Sequence, residues 1–308
     1  MKIIFNISKS SVFIPLFIAV TVSCAHMDSK PISTVIAQSG TIIDRNLGEV
    51  SGIAVSRLNE GVFWVINDSG NSASVYALNS EGKLLCTLDV QGVSNNDWED
   101  IASFEYKGKP YILVADVGDN FARRSKCFLH FIEEPDMAKI SGNSSLPVKP
   151  SWSITYTYED GPRDCESVAV DTAAGKVVLL SKRDRPPVLY ELPLSEDKDA
   201  VAKKITEIKP LLQAAGEITD FGINTGQPTA MDISADGLSA VVLTYGDAFY
   251  YKKEPSKEWA DVFTGSPMQI VVPRMRQAES ICFSIDGSGI YVTTEQIPAP
   301  LYKMDFKK

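Results

Sequence analysis

The feature that most restricts how this chain can fold is a strand opening used again and again: an acidic or hydroxyl residue, a small residue, then an apolar run. The copies are Ser51-Gly52-Ile53-Ala54-Val55, Glu99-Asp100-Ile101-Ala102-Ser103, Glu166-Ser167-Val168-Ala169-Val170, Thr229-Ala230-Met231-Asp232-Ile233 and Glu279-Ser280-Ile281-Cys282-Phe283, starting 48, 67, 63 and 50 residues apart. Spacings of this size mark an array of supersecondary units rather than a single irregular core.

After each opening come further apolar runs rich in β-branched and aromatic residues. Second runs lie at 62–66, 111–115, 177–181, 240–244 and 290–294, and third runs at 74–78, 127–132, 188–192, 248–252 and 300–304. Fourth runs follow at 84–90, 153–158, 205–212 and 268–272. Four strands per unit predict propeller blades. The last unit runs out of chain after three strands, and Ser33 to Ile42 is strand-like with no partner of its own, so it is expected to supply the missing outer strand and join the two ends. The fold expected is all-β: a five-bladed β-propeller closed by an N-terminal strand. Six blades are the lesser alternative, since 135–150 and 195–227 have room for extra strands. No window sustains helical apolar spacing; Asp197 to Lys204 reads as a helix of one or two turns. A β-sandwich gives no reason for one polar residue to open every unit.

The first residues follow the plan of an export signal: Lys2 and Lys9, an apolar run from Val12 to Val22, then small residues up to Cys24. Thr21-Val22-Ser23-Cys24 resembles a bacterial lipobox, with ordinary signal cleavage as the alternative. The chain therefore divides into a signal peptide with lipobox at 1–24, a linker at 25–32 and one propeller domain at 33–308. The protein is expected to be exported, with the membrane met only through a lipid on Cys24, and a closed propeller without free edges predicts a monomer. The other cysteines, Cys86, Cys127, Cys165 and Cys282, stand 41, 38 and 117 residues apart, which fits no thiolate metal spacing. Export permits a disulfide, for which Cys86 with Cys127 is the first pair to test; buried free thiols are the simpler reading. With 30 basic and 39 acidic residues, a net charge of −9 argues against nucleic acid as a partner.

In a propeller the first strand of each blade lines the central axis, so Ser51, Glu99, Glu166, Thr229 and Glu279 are expected to ring one mouth. Glu49, two residues before Ser51, lies on the same side of an extended strand, and either can reach the ring. The loops returning to that face bring Asp68, Asp116, Lys182, Arg183, Tyr245 and Glu295, and the entering loops bring Asp97, Asp164, Arg163 and Arg276. Carboxylates crowded in a desolvated mouth repel one another unless a cation or protons neutralise them. An all-oxygen set without His or thiolate selects a hard ion, and a wide ring suits Ca²⁺ better than Mg²⁺. The alternative is that the Glu residues are balanced by Arg163, Arg276 and Lys182.

The ring order Ser51, Glu99, Glu166, Thr229, Glu279, with Glu49-Val50-Ser51 leading into a strand that ends in the acidic turn Asn67-Asp68-Ser69-Gly70, resembles the calcium-activated nucleotidases, or soluble apyrases. Those are five-bladed propellers with a central Ca²⁺. Gly52 stands where that family has a ligand Glu. Asp97-Trp98-Glu99-Asp100-Ile101-Ala102 and Glu279-Ser280-Ile281 are also similar to bacterial phytase-like envelope propellers. The resemblance implies metal-dependent hydrolysis of a phosphoanhydride or phosphoester, with Glu49, Ser51, Glu99, Glu166, Thr229 and Glu279 at the metal. Arg163, Arg276, Lys182, Arg183 and Tyr245 would meet a small anionic substrate, and Asp68, Asp116 or Glu295 would serve as general base. A non-catalytic envelope module with a structural Ca²⁺ is the competing reading, and ester or lactone hydrolysis a third. No Gly-x-Ser-x-Gly elbow supports a serine hydrolase, and His26 and His130 are too few for a histidine-based site.

Overall fold

Strand-forming runs in this chain are buried to different degrees, and the gradient locates the centre. A computed structural model describes residues 31–140, 145–211 and 224–307; the signal region, Cys24 and His26 lie outside them. Among the described residues the chain forms β1 (Thr34–Ile42), β2 (Val50–Val55), β3 (Val62–Asn67), β4 (Ser74–Asn79), β5 (Leu84–Val90), β6 (Trp98–Tyr106), β7 (Lys109–Asp116), β8 (Cys127–Glu133), β9 (Ser145–Val148), β10 (Trp152–Tyr158) and β11 (Cys165–Asp171). It continues with β12 (Lys176–Ser181), β13 (Val188–Pro193), β14 (Asp199–Glu207), β15 (Pro228–Ile233), β16 (Ser239–Thr244), β17 (Ala248–Lys252), β18 (Met268–Ile270), β19 (Ala278–Phe283), β20 (Gly289–Thr294) and β21 (Ala299–Phe306). Strands β2, β11 and β19 are buried almost throughout, whereas β5 and β10 alternate buried and half-exposed positions, as an outer strand with one solvated face does.

Antiparallel meanders run outward from β2, β6, β11, β15 and β19. These innermost strands pack in a closed circuit: β2 beside β6, then β11, β15, β19 and β2 again. The N-terminal strand does close the last sheet. β1 pairs antiparallel with β21, from Thr34 opposite Phe306 to Ile42 opposite Ala299, giving the order β1-β21-β20-β19. Apolar side chains from facing sheets fill the layers between them, as where Val168, Leu179 and Tyr190 meet Leu113, Leu129 and Phe131.

Several local expectations need correction. The helix expected at Asp197 to Lys204 is not formed, and from Asp199 onward the segment is strand: β14 pairs with β13 on one side, Lys204 opposite Tyr190, and runs parallel to β10 on the other, Ala200 opposite Tyr156. Pairing on both edges overrides the weak helical preference of the Lys and Ala residues there, and β14 ends at Glu207, so the run expected at 205–212 starts and stops earlier. The segment 135–150 does hold a strand, β9, but it adds to the outer edge of another meander, parallel to β5. A one-turn helix, α1 (Trp259–Phe263), buries Trp259 and Phe263 against Tyr251. Cys86, Cys127, Cys165 and Cys282 are all free and buried, with Cys86 and Cys127 in separate apolar clusters. His130 is a core residue whose Nδ1 meets the Ser153 hydroxyl at 2.9 Å.

Candidate functional site

Each of the five strand openings carries the same irregularity. The pairing of β2 with β3 slips between Val50 and Gly52, and the corresponding slips fall between Trp98 and Asp100, Cys165 and Ser167, Pro228 and Ala230, and Ala278 and Ser280. The residue left unpaired at the bulge is in turn Ser51, Glu99, Glu166, Thr229 and Glu279. A bulge bends its strand and re-aims one side chain, so the repeated polar residue is the one each hairpin turns out of its ladder. All five are at least nine-tenths buried.

The hydroxyl members and the carboxylate members then part company. Ser51 Oγ donates to the Trp98 carbonyl at 3.0 Å, and Thr229 Oγ1 donates to the Ala278 carbonyl at 2.8 Å. Each ties its strand to the carbonyl just before the Glu of the next inner strand. Gly52, where the resembled family has a Glu, has no room for a side chain: a Cβ there would lie 2.9 Å from the Ile101 backbone nitrogen. Glu49 is exposed and accepts from Asn71 Nδ2 at 2.6 Å.

Glu166 and Glu279 share the mouth with a buried ammonium. Lys182, 6% exposed, forms an ion pair with Glu166 and donates to the Tyr245 hydroxyl at 2.9 Å; that hydroxyl donates to Glu279 Oε1 at 2.9 Å. Burial lifts Glu166 to about 8 against the opposing pull of Lys182, with Glu279 adding repulsion. Burial and the neighbouring Glu295 carboxyl likewise lift Glu279 to about 8. Burial works against the charge on Lys182, yet Glu166 and Tyr245 outweigh it and hold its pKa above the ordinary value. Glu295 is held by Gln277 Nε2 at 2.5 Å, and burial raises its pKa as well.

Glu99 stands differently. It is 6% exposed, and among the described residues it accepts no hydrogen bond and forms no ion pair. Burial raises its pKa well above the usual range, with Glu166, Asp68 and Asp97 repelling its charge and only Lys182 opposing. One oxygen from each of Asp68, Asp97 and Glu99 lies within 4.8 Å of the others. Burial raises Asp68 and Asp97 too. Gly118 makes the gathering sterically possible, because a Cβ there would fall 2.6 Å from the Asp97 carboxylate and against Glu99 Oε1. A set of oxygen donors alone, including a carboxylate on a buried residue with no hydrogen bond among the described residues, suits a hard cation.

The expected cationic contacts are occupied elsewhere. Arg163 pairs with Asp160 at 2.7 Å and Asp184 at 2.9 Å and lies over the Tyr190 ring. Arg183 pairs with Asp164 at 2.5 Å and contacts Asn120. Both border a cleft of about 230 Å³ beside the mouth, with Asp119, Asp164 and Asp184. Arg276 is exposed on the loop into β19. Asp116, fully buried, is held by Arg124 at 2.7 Å and Asn96 at 2.6 Å.

Two residues behind the mouth act on the backbone: Asp100, which the sequence reading did not single out, and Asp232, which it read as either a stand-in for the missing Glu of its unit or a solvated channel residue. Asp100 Oδ2 accepts from the backbone nitrogens of Val168 at 2.8 Å and Met231 at 3.1 Å, and Oδ1 from Ile101 at 2.9 Å. Asp232 accepts from Ile233 and Phe283, both at 2.8 Å. Innermost strands present free N–H groups to the axis, and these carboxylates cap them.

No protein-family model and no curated protein matches the chain. Among solved structures it is similar to the major allergen Mala s 1 of Malassezia sympodialis, with a TM-score of 0.55 and 13% identity over 87% of this chain and 96% of that one. That likeness shows the fold, a β-propeller, and nothing more.

Proposed function

We propose that this chain is an exported five-bladed β-propeller, lipid-anchored through Cys24, whose mouth holds Ca²⁺ and acts on a small anionic phosphoester or phosphoanhydride. The five bulged openings and the circuit of inner strands support the blade count. The observation that carries the functional reading is Glu99: a nine-tenths buried carboxylate with no hydrogen bond or ion pair among the described residues, beside two further carboxylates, in a mouth shaped by Gly118. Such a group is costly to bury unless a cation or a proton completes it. A bound Ca²⁺ supplies Lewis-acid polarisation of a phosphoryl oxygen. Of the three expected bases, Asp116 is locked to Arg124 and Glu295 to Gln277, and Asp68 stands in the carboxylate cluster, where it would hold the ion rather than take a proton from water.

A second reading has its own support. Lys182, Arg163 and Arg183 are all engaged by carboxylates, which suits a binding module with a structural ion better than a phosphate clamp. Assay of the purified chain with nucleoside diphosphates, phytate and simple esters, with Ca²⁺ and with EGTA, separates the two. Calcium-dependent phosphate release that Glu99→Gln abolishes supports the hydrolase; calcium-dependent stabilisation without turnover of any substrate supports the module.

A further inference from the structure

The charges of the mouth are not distributed evenly, and their imbalance says where a cation goes. On one side Glu166 is paired with Lys182, Glu279 accepts from Tyr245, Tyr245 accepts from Lys182, and Glu295 accepts from Gln277. Every carboxylate there has a donor, and the ammonium sits between two of the strand openings expected to hold the ion. On the other side Asp68, Asp97 and Glu99 have no ion pair at all among the described residues, and Glu99 has no hydrogen bond.

We infer that Lys182 is the built-in cation of the ring, so that the mouth takes a single divalent cation off the axis, on Asp68, Asp97 and Glu99. This rests on reading the mouth as a cation site, and it replaces an ion shared by all the strand openings with one held by a single loop cluster. The geometry fits. Two oxygens each about 2.4 Å from one calcium ion can lie no more than about 4.8 Å apart, and the three carboxylates meet that limit without rearrangement. Ser51 and Thr229, expected as ligands on the axis, direct their hydroxyls to the Trp98 and Ala278 carbonyls, and neither belongs to the carboxylate group that meets the distance limit. An ammonium bonded to Glu166 also repels a second positive ion at close range.

The test is calorimetric titration of Ca²⁺ into the full chain in detergent after EGTA treatment, with melting curves for every variant. Wild type is expected to bind one ion. Asp97→Asn, on the loop before β6, is expected to weaken binding on the order of tenfold or more. Lys182→Met leaves Glu166 and Glu279 without their cation and is expected to bind two ions, while Lys182→Arg keeps one. Two ions in wild type, unchanged affinity in Asp97→Asn, or one ion in a folded Lys182→Met overturns the inference while leaving a cation-binding mouth. If Lys182→Met does not fold, Asp97→Asn and the wild-type stoichiometry decide. No binding of Ca²⁺, Mg²⁺ or Mn²⁺ by wild type sinks the cation reading itself.

Discussion

Removing the Asp100 carboxylate should be among the most damaging single changes behind the mouth. Its side chain is fully buried and accepts three backbone N–H groups, two of them, Val168 and Met231, on β11 and β15. The bond to Met231 reaches past β11, so Asp100 ties β6 to β15, two inner strands that share no ladder pairing. In Asp100→Ala the Ile101 nitrogen loses only a local bond. The Val168 and Met231 nitrogens are left buried without an acceptor, at about 1–3 kcal/mol each. The expected loss is therefore about 2–6 kcal/mol. For a domain of this size about 1 kcal/mol moves the midpoint by ~2–4 °C, so Asp100→Ala should melt about 4–24 °C below wild type by differential scanning fluorimetry. Asp100→Asn, which keeps one acceptor oxygen, should fall between. A melting point for Asp100→Ala within about 2 °C of wild type would show that these N–H groups find other acceptors, and the account of the axis would be wrong.

Other expectations follow from the same geometry. Ser51→Ala and Thr229→Val each lose one buried hydroxyl bond, which should cost about 1 kcal/mol and leave Ca²⁺ affinity unchanged in the titration; a large loss of affinity would make these hydroxyls ligands. Glu166 and Glu279 have folded-state pKa values near 8 against 4.5 for the free side chain, so the folded chain binds their protons more tightly than the unfolded one. Without a cation, stability should be greatest below pH 4.5 as far as these two groups contribute, and should fall as pH rises from 4.5 to 8. Their contribution is read as the part of the wild-type pH slope of Tm in EGTA that disappears in Glu166→Gln/Glu279→Gln; identical slopes refute the assignment. Deleting residues 31–42 strips β1 from β21 and exposes a sheet edge, and the product should aggregate or fail to fold, seen by size-exclusion chromatography. Reductant should not shift the melting point, because the four described cysteines are free; a drop with dithiothreitol would reveal a disulfide.

The repeat was legible because the same bulge needs the same kind of residue each time, and a repeated polar residue ahead of an apolar strand survives in one sequence without any relative to compare. The closing strand was legible for a similar reason: Thr34 to Ile42 is strand-like and the last unit lacks a partner. β14 was not, since Ala200 to Lys204 turns extended only because β10 and β13 offer it two ladders, and neither is visible from the residues themselves. Asp97 was placed on the correct face but not singled out, because its closeness to Glu99 depends on Gly118 being bare, and a glycine in a loop says nothing about what it lets approach.

The site itself shows why an equivalent position need not mean an equivalent role. A bulge delivers each of the five side chains to the mouth, but what each does there depends on neighbours that the repeat does not control. Ser51 and Thr229 find a carbonyl on the next strand, Glu166 finds Lys182 from the end of its own hairpin, and Glu279 finds Tyr245 from the loop before β17. Among the described residues, Glu99 alone of the five meets further carboxylates and no donor. A ring of like residues in a desolvated space is electrostatically unstable as a symmetric object, and filling part of it with a covalently attached ammonium relieves that repulsion permanently, whatever the cation supply. What is left over is an asymmetric group of three carboxylates, so a ligand drawn to an ion there would approach from the side of Asp68 and Asp97 rather than along the axis.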